Sequence, residues 1–378
     1  MTVLKSRSRS SKLILCAHCA ARNGLKASNG ACSICNHRIF GKAGKLIKLA
    51  KQIAKAEFHS FSISSRIPRS AEISEEELWD RVGISRALSL KTQLNSEILT
   101  QAKRELGKEF SPDSPDVTFL FDFENSQAEI SISPLFLYAH YRKFSREMSQ
   151  TKWPCDCKNG CEHCKGTFFK YQSVEELVEK PLLKAFRARG AKFHGAGRED
   201  VDARMLGSGR PFVVELEEPL VRTADLPRLE NEINIGLSGK VEISNLSFTM
   251  PRMVEMLKEA RLEKSYRALV QSSEPIRKSR LARIPRLLNL KQQTPNRVLH
   301  RRSDLERARW VRIVSLEQLG PDTLELTIDT ESGTYVKEFI SGDDGRTKPS
   351  LSEFLGSKTA CRELDVIGIR HSFISDYW

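Results

Sequence analysis

The sequence contains no run approaching the roughly 20 apolar residues that a membrane-spanning helix requires, so no membrane association is expected. Its start, MTVLKSRSRSSK, has no apolar core of a secretion signal behind it, which makes a cytoplasmic protein the expectation. No strand-like segment is followed by a Gly-x-Gly-x-x-Gly helix start, so a dinucleotide site is not expected. Gly342-Asp343-Asp344-Gly345-Arg346-Thr347-Lys348 resembles a phosphate loop superficially but lacks the Gly-Lys-Ser/Thr ending, and no nucleotide cofactor is assigned to it. There is no repeat at a fixed period. Acidic residues are also short: 48 Asp and Glu stand against 61 Lys and Arg in 378 residues, a net charge of +13. Such a balance fits a polyanionic partner, with nucleic acid the leading candidate.

Nine cysteines form two tight groups plus Cys361. An odd number in a chain without a secretion signal points to metal ligation rather than disulfides. Cys16, Cys19, Cys32 and Cys35 read C-x2-C-x12-C-x2-C, a spacing in which two turn-borne pairs offer four thiolates to one tetrahedral zinc. Four thiolates leave no open position for substrate, so the role is structural. Cys155, Cys157, Cys161 and Cys164 read C-x-C-x3-C-x2-C, with His163 as an alternative ligand. This set is compact enough for a second zinc, although a one-residue spacing is less usual; independent thiols and an iron–sulfur cluster are the other readings.

At this length two or three modules are expected. Residues 1–12 are a basic Ser/Arg/Lys tail with too little apolar content to order. Helical spacing of apolar residues predicts a helix over 44–56, alternation predicts a strand over 58–65, and an acidic helix is expected from about Ser74. Val117, Phe119, Phe121 and Phe123 alternate, and Asn125-Ser126 leads into a second strand at 128–132, forming a hairpin. The second cysteine group reads as a seam between modules. Ser173-Val174-Glu175-Glu176 opens a helix as a capping box, and Pro181 is expected to begin a further helical segment ending at Gly190. Strands are expected at 212–217, 241–248, 266–271, 311–316, 324–329 and 364–370. Their irregular alternation with helices favours an α+β fold over a doubly wound parallel sheet.

The string Gly197-Arg198-Glu199-Asp200-Val201-Asp202-Ala203-Arg204 sets acids among arginines in a basic chain. Asp beside Arg is often only a surface ion pair. Gly333-Thr334-Tyr335-Val336-Lys337, read as a strand with Tyr335 and Lys337 on one face, would add an aromatic ring that stacks a base and a cation that partners a carboxylate. Between Arg277 and Arg309 lie eleven Lys and Arg residues, interleaved with Pro, Gln and Asn. A run this dense reads as a phosphate-backbone surface rather than a merely solvated face.

The N-terminal cysteine pairs, FHGAGREDVDARMLGSGRPFVVELEEP (193–219), QQTPNRVLHRRSDLERAR (292–309) and GTYVKEFISGDDGRTKPSLSEFLG (333–356) together resemble the THUMP-containing tRNA pseudouridine synthases of the archaeal and eukaryotic Pus-ten type. The resemblance implies a zinc-binding, THUMP-containing RNA-binding domain over 13–133 and a catalytic domain of pseudouridine-synthase fold, a mixed central sheet flanked by helices, over 134–378. It implies Asp200 as the catalytic aspartate with Arg198 beside it, Tyr335 as the ring beneath the target base, Lys337 as the cation facing the aspartate, and Tyr266, Arg301 and Arg302 as further substrate-binding residues. The implied substrates are uridines 54 and 55 in the T arm of tRNA. Structural zinc and no organic cofactor are expected, in a monomer. The rivals are a zinc-bearing RNA-binding protein without catalysis, for which no carboxylate in a basic cleft is needed, and a THUMP-type methyltransferase or thiouridine synthase, disfavoured by the missing nucleotide loops.

Overall fold

The structure, a computed structural model, describes residues 13–37, 39–83, 87–157, 159–162 and 164–370, and leaves the side chain of Arg301 undescribed. The tail at 1–12, the alternative ligand His163 and the Arg301 side chain therefore lie outside the described residues. The chain forms two compact units. The first takes in the chain up to Leu135 together with Phe186–Arg189 and Glu217–Arg222, and the second takes in the remainder.

In the first unit, α1 (Ala17–Ala21) and α2 (Ala43–Ile53) precede β1 (Ser60–Arg66), α3 (Arg69–Val82), α4 (Leu90–Leu106), β2 (Glu109–Phe110), β3 (Val117–Asp122) and β4 (Gln127–Ile132). Helix α2 buries Ala43, Leu46, Ile47 and Ala50, the stripe that a 3.6-residue period brings to one face. Helix α4 does the same with Leu90, Leu94, Ile98 and Ala102. Its ends are signalled locally: Ser89 accepts from Thr92 N at 3.1 Å, and Gly107 closes it in the left-handed region. Helix α3 begins at Arg69, earlier than the acidic stretch suggests, because the Pro68 carbonyl already accepts from Ala71 and Glu72 N. The sheet runs β2-β1-β3-β4, with β1 parallel to both neighbours and β3 antiparallel to β4. The parallel β1–β3 pair needs a long crossover, which α3 and α4 supply.

The second unit is built on one ten-stranded sheet. In chain order it holds β5 (Leu135–Lys143), α5 (Val174–Phe186), β6 (Gly190–Gly195), β7 (Ala203–Glu217), α6 (Leu226–Gly236), β8 (Val241–Thr249), α7 (Arg252–Glu259) and β9 (Glu263–Ser272). Then come α8 (Lys278–Leu281), β10 (Leu287–Gln293), β11 (Glu306–Gln318), β12 (Thr323–Thr330), α9 (Val336–Ser341), β13 (Thr347–Lys348), α10 (Leu351–Leu355) and β14 (Thr359–Arg370). The strand order is β13-β10-β11-β12-β9-β14-β7-β5-β8, with β6 also paired to β7. The β10 to β14 half is antiparallel throughout, and β14 then runs parallel to β7, with Leu364 opposite Ala203. The mixed sheet makes the fold α+β.

The structure differs from the sequence reading at several points. Pro181 lies inside one continuous helix, α5, which the buried stripe Val174, Val178, Leu182 and Phe186 holds against the core. The segment after Leu135, for which no element is expected, is strand β5, buried along most of its length. The second cysteine group lies inside the second unit, between β5 and α5, rather than between units. Strand β7 starts nine residues before the expected Phe212, and it kinks at Gly207, φ +61°, where an added Cβ would stand 2.0 Å from the Ile367 carbonyl oxygen. Only glycine allows that approach.

Candidate active site

The loop between β6 and β7 carries the Arg198–Asp202 string, and its neighbouring acids have opposite fates. The Glu199 carboxylate is 1% exposed and faces inward, where Arg210 Nε donates to it at 2.9 Å and Lys143 Nζ stands at 3.8 Å. Tyr141 Oη donates to both its oxygens, at 3.0 and 2.8 Å. Gln150 Nε2 donates to the Tyr141 hydroxyl and to the Gly197 carbonyl, Arg210 Nη1 to the Ala196 carbonyl, and Lys143 Nζ to the carbonyls of Asp200 and Val201. The backbone on both sides of Asp200 is thereby stapled to β5 and β7.

Asp200 points the other way, into a cleft of about 520 Å³ that it shares with Arg198, Lys264, Tyr266, Arg297, Arg302, Tyr335 and Lys337. Its carboxylate meets Arg297 Nη1 at 3.2 Å and Lys337 Nζ at 3.4 Å. Burial pushes its carboxyl up, but Arg297 and Lys337 together outweigh that and hold it below the ordinary carboxylate value. Asp200 is therefore an anion at neutral pH. Each cation is itself anchored: Arg297 Nε donates to the buried Glu338 at 2.6 Å, and Lys337 Nζ donates to Asp202 at 2.7 and 2.8 Å.

The segment holding Tyr335 and Lys337 is not a strand. Gly333 turns the chain at φ +80°, Thr334 Oγ1 donates to the Glu331 carbonyl, and Tyr335 caps α9. The β-forming side chains are overridden by the helical spacing of Val336, Phe339 and Ile340, all buried in the core. Tyr335 and Lys337 nonetheless both line the cleft. Buried Gln292 pins the Tyr335 backbone from both sides, accepting from its N–H at 2.8 Å and donating to its carbonyl at 2.9 Å, while Arg302 Nη1 donates to its hydroxyl at 3.0 Å.

Tyr266, on β9, lines the same cleft, and burial pushes its phenol up to about 12, so it remains neutral. Lys264, two residues before it on the same strand, is pushed down to about 8 by burial and by nearby Arg210. Four contributors escape the sequence reading: Glu199, Gln292, Lys264 and Arg297. The last stands in the run assigned to the phosphate backbone, yet it belongs to the Asp200 carboxylate. Elsewhere in the basic run Arg307 and Arg309 bond to neighbouring groups of the fold, whereas Arg277, Lys278, Arg280 and Arg283 are exposed around α8.

Both cysteine groups come together as expected. In each, four Sγ atoms lie within 4.8 Å of one another. A tetrahedron with metal–sulfur bonds of about 2.3 Å has an edge near 3.8 Å, and Cys16 and Cys35 Sγ stand 3.5 Å apart, far beyond the roughly 2.05 Å of a disulfide. Cys16 and Cys19 open α1, and Cys32 and Cys35 lie on the following turn, all four buried. The donor set fits zinc. Among the described residues no helix is long and apolar enough to cross a membrane.

Comparison with known proteins places this chain in a family. The family profile described as Pus10, C-terminal, matches residues 136–370, and that described as Pus10 THUMP domain, archaeal, matches 47–122. The chain is 46% identical over 300 residues to the tRNA pseudouridine synthase Pus10 of Methanothrix thermoacetophila, spanning 78% of this chain and 66% of that relative. It is 37% identical over 365 residues to the Pus10 of Thermofilum pendens, spanning 93% of this chain and 80% of the relative. Among solved structures, a crystal structure of a Cbf5-Nop10-Gar1 complex covers 61% of this chain and 47% of its own at 14% identity and a TM-score of 0.31. On the sequence matches, the chain belongs to the Pus10 family of tRNA pseudouridine synthases.

Proposed function

We propose that this chain isomerises uridine to pseudouridine at positions 54 and 55 in the T arm of tRNA, as a cytoplasmic monomer that needs no organic cofactor and carries structural zinc on Cys16, Cys19, Cys32 and Cys35. The reaction breaks the bond from ribose carbon 1′ to ring nitrogen 1, turns the uracil and forms a bond from carbon 1′ to carbon 5. Carbon 5 then loses a proton and nitrogen 1 gains one, so nothing external is consumed.

The observation that carries the reading is the ionised carboxylate of Asp200, fixed by Arg297 and Lys337 in the wall of a cleft that also presents the rings of Tyr266 and Tyr335. A cleft of about 520 Å³ lies within the roughly 300–1,000 Å³ range of small-ligand sites and admits one extruded nucleoside. Extruding the uridine costs a few kcal/mol, which phosphate contacts from Arg198, Arg301 and Arg302 would offset. Tyr335 stacks on the freed uracil and holds it while it turns, an effect of orientation. Asp200 acts on the sugar or the ring as an anion, and its two cations keep it one without a proton being removed first.

The test incubates purified protein with unmodified tRNA and no additive, and maps pseudouridine. Wild type is expected to modify the T arm. Asp200→Asn is expected to bind tRNA with unchanged affinity and yield no product. Appreciable turnover by that variant removes Asp200 from the role, and tRNA binding by wild type with no pseudouridine at any position favours the non-catalytic RNA-binding reading.

A further inference from the structure

Thirty residues, 144–173, lie between β5 and α5, and the described ones among them form no helix or strand. A loop this long without internal structure needs another source of order. Apolar burial supplies little, since only Met148 and Cys164 among its hydrophobic side chains are buried. The loop is nevertheless paired with itself: Ser149 bridges Ser173, Pro154 bridges Phe169, Cys155 N donates to the Phe168 carbonyl and Lys170 N to the Trp153 carbonyl. Trp153 and Tyr171 meet edge to face, with ring centroids 5.8 Å apart. The antiparallel pairing of 153–155 with 168–170 makes a short two-stranded stem with Cys155, Cys157, Cys161 and Cys164 at its tip, and the parallel Ser149–Ser173 bridge closes the segment at its foot.

The tip geometry is that of a metal knuckle. Sγ separations are 3.4 Å for Cys157–Cys164, 3.7 Å for Cys155–Cys161 and 3.7 Å for Cys161–Cys164. These match the edge of a tetrahedral thiolate site, about 3.8 Å, and no pair approaches disulfide distance. Cys161 N also donates toward Cys164 Sγ at 3.4 Å, the kind of backbone support that a thiolate ligand accepts. Apart from the thiols, the described tip is held by a few polar contacts, such as Thr167 Oγ1 to the Cys164 carbonyl and the exposed Lys170–Asp156 pair, and a bound metal would tie the four sulfurs into one unit.

The foot of the stem meets the catalytic loop. Val174 N donates to the Ser149 carbonyl and Glu175 N to the Gln150 carbonyl, fixing the foot on the start of α5. From that foot Gln150 reaches the Gly197 carbonyl and the Tyr141 hydroxyl that serves Glu199. Ser149, Gln150, Thr151 and Trp153 also form one wall of a small cavity whose other wall is Arg198–Val201.

We infer that Cys155, Cys157, Cys161 and Cys164 bind one thiophilic divalent metal, zinc in the purified protein, and that this metal-closed knuckle braces Gln150 against the loop that carries Asp200. The metal is a positioning element: it touches no substrate and acts through the stem. The metal site stands by itself, while its effect on turnover rests on the catalytic reading above.

The experiment measures zinc by elemental analysis in the full-length protein, in Cys161→Ser and in Cys161→His, alongside cobalt-substituted absorption spectra and kinetics on unmodified tRNA. Wild type should hold two zinc ions per chain and Cys161→Ser one. With cobalt, wild type should show sulfur-to-metal charge transfer from two sites, and Cys161→Ser about half of it. Turnover by Cys161→Ser should fall on the order of tenfold through kcat, since small displacements of a positioning loop act on the chemical step. Cys161→His, which restores a ligand, should recover both metal and rate. One zinc per chain in wild type, with no further cobalt uptake, overturns the site. Loss of the second zinc with unchanged kcat overturns the bracing. A wild type that holds two zinc ions and forms no pseudouridine defeats the catalytic reading and leaves the metal site intact.

Discussion

Replacing Glu199 by Gln should unfold the second unit at a distinctly lower temperature, although Asp200→Asn one residue away should leave stability nearly unchanged. Glu199, Arg210 and Lys143 have side chains no more than 1% exposed, so solvent screens their charges very little. Removing the carboxylate charge leaves two buried cations with no anion between them. Breaking a buried pair by deleting one partner costs about 3–5 kcal/mol. For a domain of this size each kcal/mol lowers the melting temperature by roughly 2–4 °C, so a drop of about 6–20 °C is expected. Differential scanning calorimetry of the full chain, followed transition by transition because two units need not melt together, is the assay. A Glu199→Gln transition within about 1 °C of wild type would refute the assignment of Glu199 as the electrostatic anchor of the loop. The double variant Glu199→Gln/Lys143→Met should melt above the single one, since it removes one of the stranded cations.

Arg297→Met and Lys337→Met should each move the acid limb of kcat/KM to higher pH. Burial raises the Asp200 carboxyl and the two cations lower it; in the folded wild type the anion persists below the usual carboxylate range, and deleting a cation lets the burial effect regain ground. An acid limb at the wild-type position in both variants would contradict this. Reversing the charges of Arg277, Lys278, Arg280 and Arg283 to Glu should weaken tRNA binding and flatten the dependence of log K on log salt, by roughly 0.7–0.9 for each phosphate that the protein no longer neutralises. An unchanged slope by filter binding would mark that surface as merely solvated.

Long periodic segments of this fold are readable from the chain, and the exceptions have physical causes. The stripes of α2 and α4 and the β3–β4 hairpin can be read because local periodicity and burial agree there. Strand β5 cannot, since it is buried on both faces and so lacks alternation: Phe136 to Tyr141 are all buried, His140 included. The start of α9 misleads for the opposite reason. Tyr335 and Val336 carry strong β preference, and a period of two fits them until the chain reaches Phe339 and Ile340, whose spacing decides the matter.

At the site, the positions of Asp200, Tyr335 and Lys337 in one cleft follow motif by motif, but the partners that make Asp200 useful do not. Arg297 is 97 residues away in sequence, in a basic run of which Arg307 and Arg309 bond elsewhere and Arg277, Lys278, Arg280 and Arg283 face solvent, and nothing local separates it from them. Glu199 and Asp200 are adjacent acids with the same local signal. What divides them is tertiary: one acid meets Arg210, Lys143 and Tyr141 in the interior while the other meets Arg297 and Lys337 at the cleft. The two fates depend on each other. Inside, Glu199 offsets the charges of Arg210 and Lys143 and frees the Lys143 ammonium to hold the Asp200 and Val201 carbonyls. Outside, that fixed backbone keeps the Asp200 carboxylate within reach of two cations, each already tied to an acid of its own, Glu338 or Asp202. An aspartate on an unsupported loop would swing to whichever cation came closest, or away from the phosphates of an arriving RNA. Held from behind by a buried ion cluster, it stays aimed into the cleft when the polyanion binds.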